Sequence, residues 1–258
     1  MSPLRIGVVG WVSVLVAIPL AVLVARGLAG GPAAFVEAIS DPAAIDALWL
    51  SIWTAAVAAV VNGVIGTAIA WTLVRWDVPG RRLIGALVDL PLAIPTLVAG
   101  VLIIALFGPQ TPIGKLYPIA FARPGIILAL LFVTLPFVVR AVEPVLEELD
   151  PAEEEAAYTL GAGQLLILVR VLLPPVFPAI AAGAIQTFAR SVAEFGSLAA
   201  VSGNIPHRTL VAPVYILGEV EAGNSSGAAS VSLVLLALAL ALQPLAAALI
   251  RRAGARHA

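Results

Sequence analysis

The chain has 258 residues, of which 61% are hydrophobic and only 11% are charged, and its formal net charge is −1. Its mean hydropathy of +1.08 lies far outside the range of soluble domains, so the composition predicts an integral membrane protein. The absence of cysteine excludes disulfides, thiolate metal sites and cysteine nucleophiles. The long apolar runs have no period of two, which favours transmembrane helices over the alternating strands of a barrel.

Six stretches are long and apolar enough to cross a bilayer, whose core needs about 20 consecutive apolar residues per helix. The first is bracketed by Arg5 and Arg26 and is interpreted as a retained helix, because no small-residue cleavage site of a signal peptide follows it. The third contains Pro91 and Pro95, which predict a bent or partly unwound span. The predicted spans are residues 6–25, 47–74, 83–107, 124–139, 176–201 and 227–250.

The distribution of lysine and arginine predicts the orientation, because cytoplasmic segments carry the excess of these residues. With the amino terminus inside, the outer segments hold Arg26, Lys115, Arg123 and Arg208. The inner segments hold Arg5, Arg75, Arg81, Arg82, Arg140, Arg170, Arg251, Arg252 and Arg256. We therefore expect both termini in the cytoplasm, and we expect residues 140–175 to form the longest cytoplasmic segment, between the fourth and fifth spans.

Residues 150–163 carry the signals of a short, capped helix within that segment. A second helical piece, residues 164–173, is expected to stop before Pro174. Capping signals alone are equally typical of a plain connector. The signals are Asp150 as cap, Pro151 at the first helical position, Glu153 as in a capping box, Leu160 at the end, and Gly161 or Gly163 for a left-handed exit.

The spacing within this segment resembles the EAA loop of the permease subunits of binding-protein-dependent ABC importers. The residues that match are Glu155, Ala156, Ala157, Gly161, Val171, Leu173 and Pro174, with Val171 where isoleucine is usual. Segments 90–114, 132–151, 189–197 and 202–209 are similar to the sulfate/thiosulfate permease branch, and more narrowly to its T-type subunit. The related molybdate permeases share part of these elements but usually lack the first helix, which favours sulfate.

The resemblance implies an all-α fold: a polytopic transmembrane bundle of about six helices with the type I ABC importer permease fold. Residues 1–30 would be an N-terminal transmembrane helix, and residues 46–250 the permease core, with a cytoplasmic coupling helix between spans 4 and 5. This helix would dock on a cytoplasmic ATPase. The coupling residues implied are Glu155, Ala156, Ala157, Gly161 and Pro174.

The resemblance also implies partners and a location. The partners would be two copies of an ABC ATPase subunit, a second permease, a periplasmic or lipid-anchored sulfate-binding protein, and membrane lipid, but no nucleic acid. The second permease would be a W-type chain in a heterodimer, although a homodimer is possible. The location would be the bacterial inner membrane. Neither a cofactor nor a metal site is expected.

Charged residues inside the predicted fifth span need partners, because a charge at mid-span costs about 2.5 to 3.5 kcal/mol on insertion scales. Arg190 and Glu194 are four residues apart and are expected to share a helix face, pair, and lie in the outer half of the membrane. A structural ion pair between two spans is the favoured interpretation, and the alternative is that the two residues form a gate or pathway for a divalent oxyanion. Asn62 is interpreted as a helix-to-helix hydrogen bond, and Asp89 as a solvated or arginine-paired residue.

The segment 202–209 is predicted to lie outside, between the last two spans, and it has the turn residues Gly203 and Pro206. A plain turn is the favoured interpretation, and the alternative is that Asn204 and Arg208 contact an anion or a periplasmic protein. His207 has no histidine or carboxylate at ligand spacing, which argues against a metal site.

Three function classes remain at this point. A transport subunit without catalysis of its own is favoured, because no GxxxxGK[ST] phosphate loop occurs and ATP would be hydrolysed by a separate chain. Its substrate would be sulfate or thiosulfate, with molybdate or tungstate as the alternative. A stand-alone secondary carrier would predict matching halves, which are not found. An intramembrane enzyme would need a nucleophile and base, for which Arg190 and Glu194 are poor candidates.

Overall fold

The computed structural model of the protein describes residues 3–254, and over this range its regular structure is entirely helical. In chain order the elements are α1 (Pro3–Gly27), α2 (Gly31–Ser40), α3 (Pro42–Arg75), α4 (Arg81–Ala93), α5 (Thr96–Phe107), α6 (Pro112–Leu116), α7 (Arg123–Glu148), α8 (Pro151–Thr159), α9 (Gln164–Ile167), a π-helical turn (Leu168–Leu172), α10 (Leu173–Val192), α11 (Gly196–Val201), α12 (Ala212–Glu221) and α13 (Ser225–Gly254). The all-α prediction is confirmed.

Five helical segments are long and apolar enough to cross a membrane, and a sixth is counted if the bent pair α4 and α5 forms one span. This agrees with the prediction of about six spans. The five segments are Gly7–Gly27, Pro42–Arg75, Arg123–Glu148, Gln164–Val192 and Ser225–Leu242. Of the arginines assigned to the inner side, Arg256 lies outside the described residues.

Helices α3, α7 and α10 form the centre of the bundle, where each contacts the other two. Small residues permit this packing: a Cβ on Gly66 would lie 2.8 Å from Val138 Cβ, and one on Gly183 would lie 2.9 Å from Val138 Cα. Asn62 Nδ2 donates to Leu131 O at 3.1 Å and to Thr134 Oγ1 at 3.0 Å. The helix-to-helix hydrogen bond predicted for Asn62 is therefore confirmed.

Helix α1 lies at the periphery and packs on α13. Ser230 Oγ of α13 donates to the Gly27 carbonyl at 2.9 Å, and a Cβ on Gly27 would lie 3.2 Å from the Ala229 carbonyl. The two helices therefore cross closely at the last turn of α1. The rest of α1 presents apolar side chains outwards, as expected for a helix surrounded by lipid.

The third predicted span is broken, and its two halves, α4 and α5, meet at an angle of 110°. Ile94 is extended, with φ −86° and ψ 133°, because the ring of Pro95 disfavours the helical conformation of the preceding residue. The bend predicted from the prolines is confirmed. Pro91 by contrast lies within α4.

The boundaries predicted around the fourth and fifth spans need correction. Helix α7 does not end at residue 139 but continues to Glu148 with Pro144 inside it. The expected stop before Pro174 is wrong, since helix runs without a break from Gln164 to Val192. Leu173 N–H donates to Leu168 O in the π-helical turn. This wider turn leaves room for the ring of Pro174, which has no N–H to continue the α-helical hydrogen bonds. The same span ends at Val192 rather than at residue 201, and α11 follows as a separate helix.

Candidate functional site

Helix α8 is a capped helix that forms where the sequence predicts it. Asp150 Oδ1 accepts a hydrogen bond from Ala152 N–H at 2.9 Å. At the other end Gly161 takes the left-handed conformation with φ 82°, while Gly163 is extended with φ −75°. Gly161 N–H donates to Tyr158 O at 2.9 Å and Ala162 N–H to Ala157 O at 3.1 Å, which is the Schellman pattern. The left-handed exit is therefore made by Gly161.

Two attachments fix α8 to the end of the bundle. Arg75 Nη1, at the last residue of α3, lies 3.3 Å from Glu154 Oε2, and its guanidinium also lies over the Trp71 ring at 5.7 Å. Ala157 and Ala162 pack on the buried cluster that contains Leu149, Ile167 and Leu172. Helix α8 is thus held both to α3 and to the base of the long Gln164–Val192 helix.

The exposed side chains of α8, of the turn after it and of the start of α9 are apolar as well as acidic. Glu155 and Ala156 are exposed. Leu160 is 87% exposed and Leu165 is 74% exposed, although both are large apolar side chains, and Tyr158 is also exposed. Exposed apolar side chains grouped in this way, beside charged residues, are typical of a surface that binds another protein. The sequence identifies Leu160 only as the end of the helix, and it predicts neither the exposure of Leu160 nor that of Leu165.

Arg190 and Glu194 form an ion pair, with Arg190 Nη1 2.7 Å from Glu194 Oε2. The predicted pairing is confirmed, but the predicted helical position of Glu194 is wrong, because α10 ends at Val192 and Glu194 lies in the break before α11. Glu194 Oε1 accepts from both Ser197 N–H and Ser197 Oγ–H, each at 3.1 Å. The side chain of Glu194 is 1% exposed and that of Arg190 is 36% exposed. One buried carboxylate therefore holds the arginine and the first turn of α11 together.

The second half of the broken third span meets α11 beside this pair. A Cβ on Gly196 would overlap Thr96 Oγ1 and lie 2.9 Å from Leu97 N, in the first turn of α5. A Cβ on Gly100 would lie 2.5 Å from Ser197 O. The backbones of α5 and α11 are thus in direct contact, which only glycine permits at these positions. The sequence predicted the bend in the third span, but it did not predict that the bend packs on a break in the fifth.

Charged residues at the end of the bundle that carries α8 are joined in pairs. Arg140 Nε donates to Asp89 Oδ1 at 2.8 Å, and the same guanidinium pairs with Glu143. Arg81 Nη2 lies 3.0 Å from Glu147 Oε1. The prediction of an arginine-paired Asp89 is confirmed, with Arg140 as the partner. The Arg140–Asp89 and Arg81–Glu147 pairs connect α4, the first half of the broken span, to α7.

At the opposite end, residues 202–210 form a tight loop that carries Asn204 and Arg208. Asn204 Nδ2 donates to Ala199 O at 3.1 Å, and its Oδ1 accepts from Ser202 Oγ at 2.6 Å, so its side chain is used within the loop. Arg208 is exposed, and its carbonyl accepts from Arg123 Nε at 3.1 Å. Within residues 3–254 no group of three or more histidine, aspartate or glutamate side chains is placed to hold a metal ion.

Residues 62–254 match the family described as the binding-protein-dependent transport system inner membrane component. The chain belongs to this family. The fold agrees, because the chain resembles a bacterial ABC transporter involved in alginate import with a TM-score of 0.76 at 17% identity, covering 96% of this chain and 94% of that one. It also resembles the MetNI methionine ABC transporter with a TM-score of 0.64 at 20% identity, covering 81% and 95%. The permease has the type I ABC importer fold, as predicted.

Several sulfate transport system permeases are more similar to this chain in sequence than these solved structures are. A probable sulfate transport system permease protein cysT of Nephroselmis olivacea is 42% identical over 230 residues, covering 87% of this chain and 81% of the relative. The sulfate transport system permease protein CysT of Escherichia coli K12 is 38% identical over 237 residues, covering 90% and 86%. The family resemblance proposed from the EAA loop and the segments around it is therefore confirmed.

Proposed function

We propose that this permease is the T-type membrane subunit of an ATP-driven importer that moves sulfate or thiosulfate across the inner membrane. The observation that carries the proposal is the likeness to sulfate permeases over nearly the whole chain, at 38% to 42% identity. The geometry supports a transport role, since the broken span made of α4 and α5 packs beside an arginine, and discontinuous helices commonly line substrate pathways in membrane transporters. Molybdate or tungstate is the alternative substrate, because these oxyanions share charge and shape with sulfate.

ATP hydrolysis is assigned to separate ATPase subunits that dock on α8. The exposed leucines beside Glu155 and Ala156 would seat in the ATPase surface, while Ala157 and Gly161 shape the helix and its exit. Pro174 lies in the first turn of α10, on the route by which a displacement of α8 would enter the membrane. The Gln164–Val192 helix has 29 residues and, at about 1.5 Å per residue, reaches roughly 40 Å from α8 to the Arg190 region.

Arg190 and Glu194 are proposed as a gate or pathway pair for the dianion. The arginine supplies attraction, and the buried carboxylate keeps that attraction from holding the substrate permanently. Arg190 is exposed enough to meet a ligand, which favours this role over a purely structural pair.

The assembly is proposed to contain a second permease, a W-type chain in a heterodimer or a second copy of this chain, and a substrate-binding protein outside the membrane. One solved relative in fold is an alginate transporter in complex with a periplasmic protein. Residues 1–30 would form a peripheral helix and residues 46–250 the core. Both termini are proposed to lie in the cytoplasm, because the sequence segments assigned to that side carry more arginines than those assigned to the other.

The test is sulfate-stimulated ATP hydrolysis and uptake by the complex reconstituted in lipid vesicles with its ATPase, second permease and binding protein. We expect stimulation by sulfate and thiosulfate, and little by molybdate. Stimulation by molybdate alone would move the assignment to the molybdate class. Sulfate movement by this chain without any ATPase would refute the importer proposal in favour of a secondary carrier.

A further inference from the structure

Arg75 lies at the joint between α3 and α8. It is the last residue of α3, and its Nη1 lies 3.3 Å from Oε2 of Glu154, in the first turn of α8. The Arg75 side chain is 18% exposed, whereas those of the other arginines that pair with carboxylates within residues 3–254, at 81, 140 and 190, are 36% to 46% exposed. The charge of Arg75 is therefore the least accessible to solvent among them.

The guanidinium of Arg75 is only partly bonded. Within residues 3–254, its Nε and Nη2 are buried and have no hydrogen-bond partner, so Nη1 alone binds a carboxylate. Arg140, by contrast, uses all three of its nitrogens, on Asp89, Glu143 and the Gly85 carbonyl. Buried donors without a partner are rare, because leaving one unbonded costs free energy. Arg140 shows how a guanidinium that connects two helices is saturated, and Arg75 departs from this pattern.

The other attachments of α8 lead to a different helix. The elements that α8 contacts most are α9 and the π-helical turn, which form the start of the Gln164–Val192 helix. Beneath α8, Ala157 and Ala162 pack on a cluster of buried apolar side chains. Apolar contact has no preferred direction, whereas a hydrogen-bonded ion pair fixes which groups meet. The Arg75–Glu154 pair is therefore the contact that fixes the position of α8 relative to α3.

Helix α3 is a central helix, so its connection to α8 affects the rest of the bundle. It contacts both α7 and α10, and its buried residues extend from Ala44 to Leu73. Close-packed interiors have low compressibility and transmit a displacement instead of absorbing it. A displacement of α8 that reached α3 as well as the Gln164–Val192 helix would therefore move the centre of the bundle as one body.

We propose that Arg75 is a positioning residue for energy coupling: through Glu154 it makes α3 follow the displacement of α8, together with the Gln164–Val192 helix. This inference rests on the proposed importer function, in which the ATPase moves α8. The free Nε and Nη2 donors allow Arg75 to keep a bond to the Glu154 carboxylate as α8 changes position, because one donor of the fork can replace another. Without this link the ATPase still moves α8 and turns over, but α3 does not follow, and less sulfate is imported for each ATP hydrolysed.

The test compares the wild type with Arg75→Gln in the complete complex, reconstituted in lipid vesicles with its ATPase, second permease and binding protein. Sulfate uptake and ATP hydrolysis are measured on the same vesicles, and the readout is the number of sulfate ions imported for each ATP. We expect this ratio to fall about fivefold, as for the loss of a partly buried ion pair, while the ATPase rate per assembled complex is retained.

The matched control is Arg82→Gln, which removes the same charge from an exposed position in the first turn of α4. Within residues 3–254 Arg82 forms no ion pair, so this variant should leave the ratio of sulfate to ATP unchanged. Glu154→Gln should lower the ratio as Arg75→Gln does. The Arg75→Gln/Glu154→Gln variant should be no worse than either single change, because the two residues act through one contact. Arg75→Lys, which keeps the charge but not the fork, should fall between Arg75→Gln and the wild type.

Three results would overturn the inference. They are an unchanged ratio in both single variants, uptake and ATP hydrolysis that fall in equal proportion, and losses that add in the double variant. A full ratio in Arg75→Lys would overturn the role assigned to Nε and Nη2. If Arg75→Gln does not assemble, Glu154→Gln decides the question, because its amide oxygen can still accept from Arg75. Failure of the wild-type complex to import sulfate with ATP is a different result, which would refute the proposed importer function rather than the role of Arg75.

Discussion

Replacing Glu194 by glutamine tests whether the buried pair controls transport or only braces helices. The variant keeps an oxygen that can accept from Ser197, so the cap on α11 is retained. What it removes is the negative charge 2.7 Å from Arg190. If the pair is a gate, Arg190 then holds a passing dianion without a competing charge, and release becomes slow.

The size of the effect follows from burial. Removing one partner of a fully buried pair costs about 3 to 5 kcal/mol. Arg190 is 36% exposed, so solvent screens its charge and the free energy lost on removing its partner is smaller than that. The free energy lost is better estimated from a charge-assisted hydrogen bond, which contributes about 1.5 to 3 kcal/mol. Taking about 2 kcal/mol, uptake per assembled complex should fall about 30-fold, since about 1.4 kcal/mol corresponds to tenfold.

The assay is sulfate uptake into vesicles, normalised to the amount of assembled complex, with thermal unfolding of the complex measured in parallel. The Arg190→Gln/Glu194→Gln double variant separates the two roles, because a neutral pair leaves no charge unpaired. If the pair is a gate, the double variant assembles normally and still transports poorly. Normal uptake in a properly assembled Arg190→Gln variant, or full recovery in the double variant, would refute the gate and leave a structural brace.

Two further substitutions test the other parts of the site. Gly196→Ala should lower the unfolding temperature of the complex and its uptake of sulfate, because the new Cβ overlaps Thr96 and overpacking costs about 1 to 3 kcal/mol. Gly63→Ala is the control, since the nearest atom to its new Cβ is 3.9 Å away. Equal stability of the two variants would contradict the close packing of Gly196 on Thr96. Leu160→Asp should weaken co-purification of the ATPase about tenfold or more, since burying a leucine contributes about 1.5 to 3 kcal/mol. Val220→Asp, at an exposed position on α12, should not weaken it, and full ATPase retention by Leu160→Asp would refute docking on α8.

The parts of the fold that the sequence predicted well depend on local signals. The first and last spans follow from hydropathy alone, and α8 follows from Asp150 and Gly161, whose cap and left-handed exit need only neighbouring residues. The bend at Pro95 is equally local, because a proline restricts the residue before it. The EAA spacing identified the family before any contact was known.

The predictions that were wrong concern positions where contacts between residues distant in sequence determine the local structure. The break after Val192 was not predicted, because it is stabilised by contact between Gly196 and Thr96, on another span. The π-helical turn before Pro174 could not be distinguished from a helix end, since both relieve the same steric clash of the proline ring. His207 was judged isolated because Asp46 is far away in sequence. In each case the missing information was a tertiary contact, which a single sequence does not contain.

The position of the break in the fifth span has a mechanical consequence for the proposed importer. Helix is continuous from Gln164 to Val192, with the π-helical turn Leu168–Leu172 near its start, so in the proposed importer a displacement of α8 would be carried along this helix. Beyond Val192 the backbone bends, and α11 is connected to the moving helix through Glu194, which holds both Arg190 and Ser197. Because α11 also packs directly on α5, the displacement would also reach the second half of the broken third span. In the proposed importer, the Glu194 carboxylate would therefore be the point at which an axial movement of α10 changes the position of α11 relative to α5.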